Sequence, residues 1–368
     1  MLLEQILLYF FIAVSSLLAL YYLIFLRFAF ARKKETAHKI ETPVSVIVVG
    51  RNEAENFKKN LAILCEQDYP NFEVIAVNDQ SLDESKDIIE ELQKKYSNLK
   101  LVDVAINDRF WLGKKYGLTL GIKAASNDHL LLTDADCIPN SPDWISEMVS
   151  AYSTKKTLVL GYGKYELHNS LVNLFIQFET VHTAIQYFSW ALVGMPYMGV
   201  GRNIAYNRQL FFEKKGFVSH MHIASGDDDL FVQEAGTRKN TAVVFHKESH
   251  TVSEPKKNLG DWLKQKQRHY KTSKYYKPGH KFVLGLYGIM QPLFYISLVL
   301  ALVFTPYWEM VLIAAGIKVF LQYLVFVFST LKLGSYRILW VLPLLEILTW
   351  CFQLYALTLS KVNKKQRW

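Results

Sequence analysis

The stretch HLLLTDAD, residues 129–136, decides how the middle of this chain folds. Three leucines crowd a short run, Thr133 follows, and two carboxylates, Asp134 and Asp136, then emerge with only Ala135 between them. A short, nearly continuous apolar run bounded by polar residues reads as a strand buried on both faces. Two carboxylates so close repel each other unless a positive charge lies between them, and a divalent cation supplies one. Hard oxygen ligands suit Mg²⁺ or Mn²⁺, shared with substrate phosphates. The competing reading, two solvated loop carboxylates, is the weaker one here.

The same grammar repeats on either side. VSVIVV at 44–49, FEVIAV at 72–77 and LKLVDV at 99–104 read as strands, with helical patterns at 53–66, 83–96 and 114–125 between them. Downstream, a helix near 142–152 leads to a strand at 157–163, TLVLGYG. Alternation of apolar strands with helices predicts an α/β domain, a mostly parallel Rossmann-like sheet covered on both faces. Ligands of such sheets bind outside the carboxyl ends of the strands. Polar clusters stand at three of those ends: Arg51-Asn52-Glu53, Asn78-Asp79 and Asp134-Asp136. Each alone is an ordinary turn or cap; three at one edge mark a site. There is no phosphate-binding G-x-x-x-x-G-K-[ST] and no G-x-G-x-x-G after the first strand, which removes the main support for P-loop and dinucleotide readings.

Two further clusters lie downstream. In Ser225-Gly226-Asp227-Asp228-Asp229 a helix cap accounts for one or two of the aspartates. A third, aimed into a cleft, can act as general base for a hydroxyl. Trp262 to Tyr276 is basic and aromatic. That suits a membrane surface or the cationic grip on a diphosphate, and the two are compatible.

The ends of the chain are apolar. Residues 5–26 carry no charge and are long enough to cross a bilayer, and Arg27, Arg32, Lys33 and Lys34 follow. The positive-inside rule then puts the N-terminus outside and residue 35 onward in the cytoplasm. Candidate spans follow at 283–304, 309–330 and 337–359, with Lys318, Pro343 and Glu346 inside them; such residues should face other helices, or else the segment is re-entrant. Three C-terminal spans would leave the basic tail Lys361 to Arg367 outside, against the rule, whereas two spans and an interfacial segment would keep it inside. Residues 171–195 mix apolar positions with Gln177, Glu179 and His182 and read as an amphipathic interfacial helix. The expected organisation is an anchor at 1–34, a catalytic domain at 35–280 and a membrane region of two or three spans at 281–368.

Composition agrees. The chain is 51% apolar with a net charge of +9, which suits an anionic partner. With apolar ends, that partner is a phospholipid surface or a phosphorylated substrate rather than nucleic acid. Three widely spaced cysteines give no disulfide framework and fit a reducing compartment.

Over roughly residues 42–276 these motifs resemble the family 2 glycosyltransferases of GT-A fold, the group of the cellulose synthase-like and ceramide glucosyltransferase-like enzymes. Arg51-Asn52-Glu53 looks like that family's opening motif, Asp79 like its base-contacting aspartate, and Gly113-Lys114-Lys115 like its donor-side glycine-lysine segment. Asp134 and Asp136 match the metal-binding D-x-D pair. Gly199, Gly201 and Asn203 resemble the acceptor-side loop, and Asp227 the catalytic base, in an S-G-D-D-D form where many relatives have T-E-D. Gln265, Arg268 and His269 look like Q-x-x-R-W with His in place of Trp, and Asn78 stands where many members have a second Asp. The resemblance implies an inverting transferase that takes a UDP- or GDP-sugar with Mg²⁺ or Mn²⁺ and passes the sugar to a lipid or lipid-linked glycan. It also implies an integral protein of the bacterial inner membrane with a cytoplasmic catalytic domain. The missing Trp favours single transfer over a processive polysaccharide synthase. A non-catalytic nucleotide-binding scaffold and a nucleotidyltransferase are the remaining alternatives.

Overall fold

β1 (Val44–Gly50) is buried at every residue and β2 (Phe72–Asp79) at all but its first, as strands rich in β-branched side chains must be when helices cover both faces. The computed structural model describes residues 2–33, 42–105 and 113–362. Lys34 and the tail beyond Val362 lie outside the described residues. β3 (Leu99–Val104), β2, β1 and β4 (His129–Asp134) are mutually parallel neighbours. β8 (Ile204–Asn207) then runs antiparallel beside β4, followed by β6 (Leu158–Leu160) and β9 (Thr241–Val243). The register pairs Gly50 with Asn78 and Val49 with Asp134, so β1, β2 and β4 end level and Asp79 and Asp134 leave the sheet at one edge. A small second sheet, β5 (Cys137–Pro139), β10 (Thr251–Ser253) and β7 (Gly163–Tyr165), stands just beyond Asp136.

The strand expected at 157–163 is therefore two, β6 and β7, in different sheets. The break falls at Gly161, where a Cβ would sit 2.6 Å from the Asn203 amide carbon. Only a glycine lets the chain pass that close to a neighbour.

One face of the large sheet is packed by Phe57, Leu61, Leu64, Trp144 and Met148. The other joins Ile47, Ile75, Val77 and Ile122 to a core that continues through the helix Leu171–Leu192 into the membrane helices. Sheet and membrane helices share one core.

The helix Leu171–Leu192 is not the half-exposed amphipathic helix expected at 171–195. Gln177, Glu179 and His182 are all buried. Gln177 donates to the Tyr165 carbonyl (2.9 Å) and accepts from Ser335 (2.8 Å), while His182 pairs with the Tyr287 hydroxyl at 2.9 Å. The polar residues that looked water-facing are clamps to neighbouring elements.

Among the described residues four segments, Leu2–Ala29, Pro278–Phe304, Trp308–Leu333 and Tyr336–Leu359, are long and apolar enough to cross a membrane. The last opens as a 3₁₀ turn, Tyr336–Val341, before the helix Leu342–Val362. Pro343 thus lies in a first turn, where a proline has no helical hydrogen bond to lose. Lys318 and Glu346 face each other at 3.1 Å inside the bundle, as charges in such helices should.

Candidate active site

The level strand ends open into a cavity of about 410 Å³. It is lined by Arg51, Glu53, Asp79, Lys114, Asp134, Asp136, Asp227, Gln265, Arg268 and His269, so ten of the twelve site residues expected from the sequence come together.

The loops after β1 and β2 hold one another. The Asn52 backbone N–H donates to Ser81 at 2.8 Å, and the Asn52 side chain accepts from the Leu82 N–H at 2.8 Å. Asn52 takes a φ of 55°, a left-handed conformation that Asn tolerates well, and it braces the loop rather than lining the cavity. Asp79 is 4% exposed; burial raises its carboxyl above the ordinary value. A Cβ on Gly117 would lie 3.0 Å from the Asp79 carboxyl carbon, so the helix Lys115–Ala124 approaches that carboxylate closely because it carries no side chain there. Asn78 points away, donating to Asp103 at 2.8 Å.

The two lysines of Gly113-Lys114-Lys115 divide. Lys115 is buried, and its ammonium donates to the carbonyls of His220, Ile223 and Ser225 at 2.7–2.9 Å, fixing the loop before Asp227. Lys114 reaches into the cavity and bridges Asp134 (2.7 Å) and Asp227 (2.9 Å). Gly113 has φ +72°, and a Cβ there would meet the Ala224 carbonyl at 2.0 Å, so this turn requires glycine.

Ligand atoms of Asp134, Asp136 and Cys137 lie within 4.8 Å of one another. Burial, then Asp134, raises the Asp136 carboxyl, a tension that a cation between the two would relieve. Burial holds the Cys137 thiol well above its usual value, so it stays neutral. The two carboxylates are the donors that fit a hard divalent cation.

The three adjacent aspartates do three different things. Asp227 faces Lys114; burial works against its charge, but the lysine outweighs burial and holds it below the ordinary value. Asp228 accepts the Gly201 N–H at 2.8 Å, and burial with its two acidic neighbours pushes it up to about 7. Asp229 takes hydroxyl donations from Thr272 and Tyr276, which ties it to the end of the helix Leu259–Ser273. That helix carries Gln265, which donates to the Tyr165 hydroxyl at 3.0 Å and has a buried carbonyl oxygen without a partner. Burial, then Lys266 and Arg268, lowers His269 to about 3, so its ring is neutral.

Two sites differ from the sequence expectation. Asn203 does not reach the cavity: it is fully buried, donates to Tyr162 and Ser249 carbonyls at 3.0 and 2.7 Å, and accepts from Trp144 at 3.1 Å. It locks β8 to its surroundings. Its neighbour Arg202 is the residue the sequence reading missed. Its guanidinium donates to Ser253 and the Gly163 carbonyl, both at 2.9 Å, and stacks 4.2 Å over Tyr165. It lines the cavity and lowers the Asp136 carboxyl. A basic residue inside a Gly-x-Gly-Arg-Asn run was the available signal.

Comparison with known proteins follows the same lines. Residues 45–211 match the family model described as Glycosyl transferase family 2. A poly-beta-1,6-N-acetyl-D-glucosamine synthase of Staphylococcus epidermidis is 32% identical over 104 residues, 28% of this chain and 24% of that protein. Glycosyltransferase AglE of Haloferax volcanii is 29% identical over 235 residues, 61% of this chain and 71% of that protein. The chain thus spans about a quarter of the first relative's length. Among solved structures, a mannosyltransferase from Pyrobaculum calidifontis, in complex with GDP-Man and Mn²⁺, superposes with a TM-score of 0.58 at 19% identity, over 93% of this chain and 99% of the other. That likeness concerns the fold. Residues 45–211 thus match a glycosyl transferase family 2 model and sit on a GT-A fold, in a chain whose described residues include four helices long and apolar enough to cross a membrane.

Proposed function

We propose that the protein is an inverting glycosyltransferase that moves a sugar from a UDP- or GDP-sugar to a hydroxyl of a membrane-associated acceptor, a lipid or a lipid-linked glycan. The observation that carries this reading is Lys114, held between Asp134 at 2.7 Å and Asp227 at 2.9 Å. The carboxylate expected to face the leaving group and the one expected to face the nucleophile stand one ammonium apart.

In this reading Asp79 and Arg51 hold the nucleotide. Asp134 and Asp136 would hold Mg²⁺ or Mn²⁺, whose charge offsets that of the departing diphosphate. Lys114, Arg202 and Arg268 add fixed positive charge on the same side, where it stabilises charge as it develops. Gln265 offers its unpartnered carbonyl to a donor or acceptor hydroxyl. Asp227 is ionised and takes the proton of the attacking hydroxyl. Attack from the face opposite the leaving group inverts the anomeric centre, as one displacement does. Thr180, Thr183 and Tyr187 of the helix Leu171–Leu192 line the cavity on the side that meets the membrane helices, a route for an acceptor held in lipid. Neutral His269 offers a polar edge where a stacking Trp would favour a polymer, which supports single transfer. Arg27, Arg32 and Lys33 after the first span support a cytoplasmic catalytic domain.

The test is release of nucleoside diphosphate by the full-length protein in lipid nanodiscs. A panel of UDP- and GDP-sugars is offered with a membrane lipid extract, in Mn²⁺, Mg²⁺ or EDTA. Metal-dependent release with one donor, lost in Asp136→Ala, supports the proposal; no release from any donor together with no metal-dependent nucleotide binding favours a non-catalytic scaffold.

A further inference from the structure

By length the described residues hold four candidate spans; by contact the fourth behaves differently. The first and third helices meet at their C-terminal ends, where the Lys332 ammonium donates to the carbonyls of Phe28, Ala29 and Ala31, each at 2.7 Å, and both meet the domain there, with Lys332 5.0 Å and the Phe28 ring 5.4 Å from the Phe245 ring. The second leaves the domain at its N-terminal end, where His280 bonds Gln233 at 2.7 Å. The short link Thr305–Tyr307 is therefore at the far side, and the final segment starts at the domain side. There Ser335 donates to Gln177 at 2.8 Å and Arg337 to Asn169 at 2.6 Å.

A fourth crossing would now carry the chain away from the domain. Between Arg337 and Phe352 a helix rises about 22 Å. Yet the Phe352 ring packs 5.1 Å from that of Phe175, and Gln353 hydrogen-bonds the Tyr270 hydroxyl on the helix Leu259–Ser273. Asn169 stands just before the helix Leu171–Leu192, whose Asn173 side chain accepts the His168 N–H at 3.0 Å, and Phe175 lies in the second turn of that helix, so the two contact points are close together. Midway, Glu346 reaches Tyr22 and Lys318 of the bundle, both at 3.1 Å. The segment starts at the domain, touches the bundle and returns to the domain.

We propose that the segment from Ser335 to Val362 does not cross the bilayer. It lies along the membrane side of the helices Leu171–Leu192 and Leu259–Ser273 as a lipid-facing floor beside the cavity, and it ends on the side of the catalytic domain. Its buried stripe, Leu342, Leu345, Thr349 and Ala356, faces protein, and Leu344, Leu348, Leu354 and Tyr355 are exposed with no charge among them, as lipid contact requires. Non-spanning backbone at membrane depth is tolerated where it is buried against protein. The distribution of basic residues is independent support. Residues 1–4 and 305–307 contain no Lys or Arg, whereas the tail has Lys361, Lys364, Lys365 and Arg367. With this path every flanking basic cluster falls on one side, available to anionic headgroups there. The inference rests on the membrane contacts and is independent of the transfer chemistry.

The test is sidedness of labelling in sealed vesicles. In a Cys351→Ser background, single cysteines at Lys361, at Lys58 on the domain surface and at Glu309 beside the 305–307 link are exposed to a membrane-impermeant maleimide. The proposal expects Lys361→Cys to react from the same side as Lys58→Cys and opposite to Glu309→Cys. Reaction together with Glu309→Cys overturns it. A fluorescent-protein and an alkaline phosphatase fusion after Trp368 give the same decision without cysteines: fluorescence without phosphatase activity in a bacterial host supports the path, and the reverse overturns it.

Discussion

At the scale of single residues, the site works by giving chemically similar groups different surroundings. Three consecutive aspartates diverge because each meets a different neighbour. Asp227 has a lysine and stays charged, Asp228 has a backbone N–H and two acidic neighbours, and Asp229 has two hydroxyls. Asp227→Asn keeps the shape and removes the proposed base. Transfer should fall about 10²–10⁴-fold, the range a positioned base supplies. Nucleotide affinity by calorimetry and the thermal midpoint should change little; an Asn variant that still turns over at a tenth of the wild-type rate would remove Asp227 from the role. Gly117 is a subtler case. Its missing Cβ lets Asp79 sit where a methyl group would come within 3.0 Å of its carboxyl carbon. Gly117→Ala should displace that carboxylate and raise the donor KM about tenfold, an effect of 1–2 kcal/mol typical of slight overpacking, with kcat nearly unchanged. A fall in kcat at constant KM would mean that Asp79 does not hold the donor. Asp79, Asp134, Asp136 and Asp227 were legible in the sequence because each stands just beyond an apolar run or just before one. Arg202 was not, because nothing local says that its guanidinium turns back to Tyr165 and Ser253.

At the scale of elements, the helix Leu171–Leu192 holds the helix Leu259–Ser273 against the cavity. Glu179, 3% exposed, accepts from Trp262 (2.5 Å) and Tyr270 (3.1 Å) and pairs with Lys266 (3.1 Å), so a single carboxylate fixes three positions of the helix that bears Gln265, Arg268 and His269. Breaking a buried charge cluster by removing one partner costs about 3–5 kcal/mol. Glu179→Ala should therefore lower the thermal midpoint in detergent and reduce kcat/KM together, because the cationic side of the cavity loosens. Glu179→Gln, which can still accept from Trp262 and Tyr270, should recover part of both. An alanine variant with unchanged midpoint and unchanged kcat/KM would show that the clamp carries no load. The parallel half of the sheet was readable because β1, β2 and β4 are apolar almost throughout and end at one edge. The remaining strands were less so: β6 and β7 read as a single strand and β9 and β10 not at all, because each is three residues long, too short for any periodicity, and their order depends on long-range contacts. Burial of the helix at 171–192 was hidden for a related reason. Its polar residues are matched by partners more than 80 residues away for Glu179 and more than 100 for His182, which no window on the sequence contains.

At the scale of the whole molecule, the large sheet and the apolar helices share a continuous core, so the sheet domain is seated rather than tethered. The seat is fixed where the chain enters the domain. There Lys332, near the end of Trp308–Leu333, donates to three carbonyls at and beyond the end of Leu2–Ala29. A cation at that position satisfies carbonyls that the helix leaves free and complements the negative end of its dipole. Its ammonium also lies 5.2 Å from the Phe28 ring and 5.0 Å from that of Phe245, which follows β9 in the catalytic domain. One side chain thus joins the anchor, the third membrane helix and the sheet. Lys332→Met retains the aliphatic stem and deletes the charge. Hydrogen bonds to a charged group contribute about 1.5–3 kcal/mol, and three buried carbonyls would lose their donor together. The thermal midpoint of the detergent-solubilised protein should fall, while Lys332→Arg, which keeps the charge and the donors, should fall less. If the domain were only tethered, deleting this contact would loosen the membrane helices alone. In a background with the other seven tryptophans replaced by Phe, the fluorescence of the buried Trp144 reports the sheet, and it would then melt at the same temperature with and without Lys332→Met. A shared core instead requires the two parts to melt together and earlier in Lys332→Met. Separate transitions in wild type, or an unchanged Trp144 transition in the variant, would overturn the single-core description.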